Sequence, residues 1–230
     1  MSEAIYRAAT LIVPLILAIV FHEVAHGWTA RALGDPTAKE QNRLSLNPLR
    51  HVDLFGTVIL PGLLALVKAP ILGWAKPVPV NQWRLRNPRW GMMAVAAAGP
   101  GINFIMAGVA ALALGLLASG TADLEHAGAG TRFLAANLFN FILINVFLAV
   151  FNLLPIPPLD GSHLVEGLLP RDLVPAWRRL GRFGLLIVVA LIIVLPALVP
   201  GFDPVGTLVR PPVNWLLGHY FGLVGAVAGA

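Results

Sequence analysis

Phe21 to Trp28 reads FHEVAHGW, and three of its side chains can do chemistry together: His22, Glu23 and His26. In a helix His22 and His26 lie one turn apart on one face, so both imidazoles can reach a single metal ion. Glu23 stands beside them, close enough to act on water at that ion. Two histidines at this spacing suit zinc, with the intervening glutamate as general base, which is the chemistry of peptide-bond hydrolysis. The three groups sit in a hydrophobic run from Ile5 to about Leu33. Ionisable side chains facing lipid there would cost about 2.5 kcal/mol or more each, so they need a shared purpose. The plainer alternative is a set of satisfied polar groups that packs helices together.

The elements that must hold these residues are set by composition. The chain has 230 residues, 57% hydrophobic and 12% charged, which predicts one all-α integral membrane domain spanning residues 1–230 and leaves no stretch for a separate soluble domain. There are no cysteines, so any zinc must be held by His, Asp or Glu. The formal charge of +5 lies in short loops between apolar runs, which points to lipid headgroups rather than nucleic acid. The first run is too long for a signal peptide and lacks a small-residue cleavage site, so it is expected to stay in the mature protein.

Apolar runs at about 5–33, 91–118, 133–154, 182–200 and 213–229 predict a polytopic bundle of about five to six transmembrane segments. The run at 54–72 is broken at its centre by Pro61-Gly62 and reads as a re-entrant segment. Basic residues agree: Lys39, Arg43 and Arg50, then Lys76, Arg84, Arg86 and Arg89, then Arg171, Arg178 and Arg179 all fall in loops that face the cytoplasm only if 54–72 dips in and returns. The N-terminus is then outside, and Trp28 and Trp90 lie near the cytoplasmic interface. Segment 74–82 has prolines at 77 and 79, so an extended strand there would lack N–H groups on one edge and keep them on the other. It reads either as a short membrane-associated β strand or hairpin that accepts a peptide by strand addition, or as an interfacial loop stiffened by proline. A further short strand is possible around Arg43 to Leu46.

Beyond 133–154 the chain reads FNLLPIPPLDGSH, in which Pro155, Pro157 and Pro158 forbid helix and deliver Asp160 on a turn. A carboxylate so delivered is a third metal ligand, and it can meet His26 on one side of the membrane only if 54–72 re-enters. Asn137, Asn140, Asn145 and Asn152 fall within an arc of about 140° on the preceding helix, a polar stripe suited to a water path as well as to interhelical hydrogen bonds. Asn103, in AAAGPGINF, reads as a packing group in preference to a role near the site. His51 and His219 read as loop or interface residues.

HEVAH, AGPGIN at 98–103 and NLLPIPPLDG at 152–161, with GDPTAKEQNRLSLNPLRHVD and GWAKPVPVN, resemble the site-2 protease family of intramembrane zinc metalloproteases, in its compact bacterial branch. The resemblance covers roughly residues 20–165 and leaves no room for the PDZ domain of larger members. It implies one zinc per chain held by His22, His26 and Asp160, with Glu23 as catalytic base and Asn152 as oxyanion stabiliser. It also implies transmembrane protein substrates, presented near 74–80, and a multi-pass protein of the plasma or inner membrane with its active site toward the cytoplasm. His163 is not explained by it. A metal-ion transporter using the paired histidines is the alternative, one with no use for Glu23. A catalytically silent relative that binds membrane proteins is a third reading, disfavoured by the intact His-Glu-His-Asp set.

Overall fold

Apolar stretches form helices in a bilayer because a helix satisfies every main-chain N–H and C=O without water. In the computed structural model, which describes residues 3–59, 63, 75–121 and 126–229, three helices are long and apolar enough to cross: α1 (Glu3–Ala32), α3 (Pro88–Ser119) and α4 (Ala129–Asn152). α3 starts where its sequence says it should, with Pro88 in the first turn and the Asn87 side chain accepting the Trp90 N–H. Pro14 inside α1 removes the N–H that would have paired with the Thr10 carbonyl. Asn140 of α4 repairs this, its Nδ2 donating to Thr10 O at 2.9 Å.

α3 is the central helix, packed against α1, α4, a short helix α5 (Asp160–Leu168) and the last helix α9 (Arg210–Ala228). The core between α3, α4 and the start of α9 is built from Ala107, Ala111, Ile142 and Val146, all fully buried, with Val209 and Val213. Helices α6 (Val174–Gly181) and α7 (Gly184–Val189) meet at a 65° bend, and α7 continues through a wider turn at Ala190–Val194 into α8 (Leu195–Leu198). This bent pair is at most a fourth span. The expected five to six spans are therefore too many among the described residues: the run 182–200 is bent at its start, and α9 carries Asn214, His219 and two prolines that lower its apolarity.

The expected β strand or hairpin at 74–82 is not present; the described residues contain no strand there or at Arg43–Leu46. Residues 75–81 form neither helix nor strand, and their N–H groups are spent elsewhere. Lys76 N–H donates to His51 O (2.8 Å), Val78 N–H to Glu23 Oε2 (2.8 Å) and Asn81 N–H to Asp35 Oδ2 (2.6 Å). With Pro77 and Pro79 contributing none, too few donors remain to form a ladder. The re-entrant segment expected at 54–72 lies mostly outside the described residues, of which Leu54–Ile59 form a single wide helical turn. Arg86 N–H bonds to Leu33 O at 2.9 Å, so α3 begins beside the end of α1.

The loop between them is organised by Asp35, which is fully buried. Its Oδ1 accepts the Thr37 N–H and hydroxyl at the start of α2 (Thr37–Glu40), and its Oδ2 accepts the Asn81 N–H. Burial alone would push the Asp35 carboxyl up; the bonds from the Thr37 hydroxyl, the Asn81 N–H and the Thr37 N–H, with Arg84 nearby, outweigh it and hold the group below the ordinary carboxylate range. A depressed carboxylate adds stability above its unfolded value, about 3.9, and loses it as pH falls through the lower folded value. Unfolding in detergent followed across pH 7 to 3 should show wild type losing more stability on acidification than Asp35→Asn. Equal acid sensitivity of the two would remove this role.

Candidate metal centre

His22 and His26 occupy the last third of α1, one turn apart, with ring centroids 4.7 Å apart. Asp160 is the first residue of α5. After α4 ends, Pro155, Pro157 and Pro158 stop the helix, and tight turns (Ile156 N–H to Leu154 O, 2.8 Å; Leu159 N–H to Ile156 O, 2.9 Å) fold the chain back toward α1. Gly161 permits this: a Cβ there would sit 2.2 Å from the Leu153 carbonyl oxygen. The far end of α5 is fastened by Arg89 of α3, whose guanidinium donates to Gly167 O and Leu169 O. Trp177 Nε1 donates to Ser162 O.

The result is that Asp160 Oδ2 lies 3.1 Å from His22 Nε2 and 3.4 Å from His26 Nε2. Each ring is oriented from behind. His22 Nδ1 is 2.6 Å from Asn103 Oδ1, and His26 Nδ1 is 2.7 Å from Val95 O, both carbonyl oxygens of α3. With the Nδ1 protons given to those oxygens, both Nε2 atoms turn lone pairs toward the carboxylate. Asp160 Oδ2 is itself buried, with no hydrogen-bond donor among the described residues. Three acceptors facing one another repel unless a cation lies between them, and zinc bonds of about 2.0–2.1 Å give tetrahedral ligand separations of about 3.4 Å. The donor set therefore fits zinc. Gly99 leaves room for it, since a Cβ there would lie 2.5 Å from His26 Nε2 and 2.6 Å from His22 Cε1.

A cavity of about 1190 Å³ opens onto this group, lined by Glu23, Asn152 and His163 as well as the three ligands and residues 77–78. Glu23 is half-buried and Asn152 also borders the cavity, its Nδ2 donating to Leu148 O at 3.0 Å. That bond uses one of the two amide N–H groups and leaves the second. His163 is pushed below the ordinary histidine value by burial, which favours its neutral form at the cavity wall. His51 is buried in the loop, with Nε2 2.7 Å from Ser45 O, and His219 is exposed on α9.

Sequence reasoning undervalued α3. Asn103 does touch a histidine, and its own Nδ2 donates to Asn145 Oδ1 at 2.8 Å, so the two asparagines form a relay behind His22. Asn145 is fully buried and Asn140 bonds to α1; of the four asparagines on α4 only Asn152 lines the cavity. The signal that could have found the relay was an asparagine one turn from Gly99 and Pro100, in a helix already facing HEVAH.

The sequence model of Peptidase family M50 matches residues 10–139 and 120–195. Three relatives share the name "Putative zinc metalloprotease". YwhC of Bacillus subtilis (strain 168) is 36% identical over 183 residues, 80% of this chain and 80% of its own length. Rip2 of Mycolicibacterium smegmatis is 32% identical over 186 residues, 80% of this chain and 66% of its length. Rip2 of Mycobacterium tuberculosis (strain H37Rv) is 32% identical over 154 residues, 66% of this chain and 54% of its length. No solved structure matches the chain significantly.

Two substitutions on α3 test the centre directly. Gly99→Ala should drive the imidazoles apart and abolish stoichiometric zinc, measured by elemental analysis of purified protein. Asn103→Leu should weaken zinc about 10- to 100-fold in competition with a chelator, the range for losing the partner that orients a ligand. Wild-type zinc affinity in either variant would contradict this geometry.

Proposed function

The chain belongs to peptidase family M50, a membrane-helix zinc metalloprotease family by its relatives' names and its own apolar helices, and we propose that it is an intramembrane zinc endopeptidase acting on transmembrane segments of other proteins. The observation that carries the reading is the convergence of His22, His26 and Asp160, two helices contributing three acceptors to one point on a cavity that the Glu23 carboxylate also lines. His22, His26 and Asp160 hold the ion, one per chain. When bound, zinc supplies Lewis acidity toward the scissile carbonyl and activates water at neutral pH.

The remaining steps fall to side chains. Glu23, bordering the same cavity, takes the proton from the attacking water and passes it to the departing amide nitrogen as the C–N bond breaks. The unused N–H of Asn152 donates to the carbonyl oxygen as negative charge develops there. A substrate helix hides its carbonyls in its own hydrogen bonds, so it is opened locally and lies along the cavity beside residues 77–80. Helix-breaking residues in the substrate favour this.

The chain acts as one multi-pass membrane domain, with the metal centre toward the cytoplasm and the N-terminus outside. Its basic loops support that orientation, because Arg178 of one lines the same cavity as the site, and Lys76 and Arg84 of another adjoin the lining residues Pro77 and Trp83. Cleavage of this kind suits regulated intramembrane proteolysis. Family membership counts against the transporter alternative, and Glu23 separates the two experimentally.

Full-length protein in a bilayer, given tagged single-span substrates, should cleave them in a chelator-sensitive, zinc-restorable manner. Glu23→Gln should lower the rate by about 10²- to 10⁴-fold, the range for general acid–base catalysis, with bound zinc retained. Cleavage at wild-type rate by Glu23→Gln would end the reading.

A further inference from the structure

Glu23 carries a hydrogen bond that the hydrolytic scheme does not require. Its Oε2 accepts the Val78 main-chain N–H at 2.8 Å, and no other group among the described residues donates to this carboxylate. Val78 is a poor candidate for an accidental partner. It lies between Pro77 and Pro79, which fix the backbone and remove both neighbouring donors, so its N–H is the one donor available over three residues. It is buried, and it presses on α1 one turn beyond Glu23: a Cβ at Gly27 would lie 2.9 Å from Val78 Cγ1.

The segment is in turn held at both ends by the loop after α1. At one end His51 O accepts the Lys76 N–H and the buried Arg43 donates Nη2 to Lys76 O, each at 2.8 Å. At the other, Asp35 accepts the Asn81 N–H at 2.6 Å while its second oxygen is tied to Thr37. A wholly buried carboxylate away from the metal centre is expensive, and this one is spent on fixing where the segment ends.

We propose that residues 76–81 are a positioning element for the Glu23 carboxylate, with Val78 as its contact and Asp35 as its anchor. A free glutamate on a helix samples several rotamers; the Val78 N–H selects one and leaves the second carboxylate oxygen for the reaction. Asp35 is a positioning residue, acting through Asn81 and Val78, and it touches neither metal ligands nor substrate. The inference rests on the assignment of Glu23 as general base above.

The test uses full-length protein in a bilayer, with kcat and KM measured on one single-span substrate and zinc counted per chain. Four proteins are compared: wild type, Glu23→Gln, Asp35→Ala, and a chain in which the valine α-hydroxy analogue at position 78 replaces the N–H by an ester oxygen. Asp35→Ala and the ester should each lower kcat by about 10- to 100-fold, as for a misplaced catalytic group, with KM within about twofold and zinc unchanged. Should Asp35→Ala fail to fold, the ester, which keeps the side chain and the Asp35 clamp, decides alone. A wild-type kcat in either folded, zinc-loaded variant overturns the proposal, as does a loss of activity that merely follows loss of zinc. A fully active Glu23→Gln sinks the general-base reading instead, so the two failures are distinct.

Discussion

Two imidazole nitrogens and a carboxylate oxygen turned toward one another inside an apolar bundle are the constraint from which the structure follows. Each is an acceptor once the Nδ1 protons are committed to Asn103 and Val95, and Asp160 Oδ2 has no hydrogen-bond donor among the described residues. Unshielded, the arrangement would be repulsive and costly to desolvate. A divalent cation would convert the same geometry from a liability into a cross-link between α1 and α5. This is why the site and the fold cannot be separated: the group brings together elements more than 130 residues apart in sequence, as the pairing of His26 with Asp160 shows.

Bringing those elements together demands that helices come unusually close, and small or imino residues mark each approach. Gly99 lets α3 lie against both imidazoles, and Gly161 lets α5 fold onto the end of α4. Proline acts in two ways. In the α4–α5 connection it stops a helix so that a carboxylate can be delivered; inside α1, Pro14 opens a carbonyl that Asn140 then closes from α4. Without a hydrophobic driving force between helices in lipid, such specific polar repairs carry much of the association.

The meeting of His22, His26 and Asp160 was legible because their chemistry is local in sequence or forced by it. HEVAH declares its own spacing, and a carboxylate after three prolines has few conformations to choose from. The segment at 75–81 was misread for the opposite reason. Its prolines exclude helix and favour an extended backbone, but whether such a segment becomes a strand depends on what its N–H groups meet. Here they meet Glu23 and Asp35, 55 and 46 residues earlier in the chain. No local pattern contains that information. The span count failed similarly: uninterrupted aliphatic sequence from Phe183 does not disclose a 65° bend. The asparagines of α4 were legible as polar and inward-facing, but which neighbour each one satisfies depends on helix rotation, which the residue spacing leaves free.

A side-chain-pinned segment differs physically from the strand it replaces. A ladder strand is held by repeated, equivalent main-chain bonds, and a one-residue slip costs little in bond count. Pinning by Asp35, Arg43 and the His51 carbonyl uses three different chemical partners at fixed positions, so no slipped register satisfies all of them. Beside a reactive centre that matters more than strength. The cavity wall at residues 77–78 is defined to the residue, and the loop that defines it lies outside the spanning helices, where polar groups can be assembled without the cost of lipid burial. The apolar bundle therefore supplies His22 and His26, and the polar loop at its end sets their surroundings.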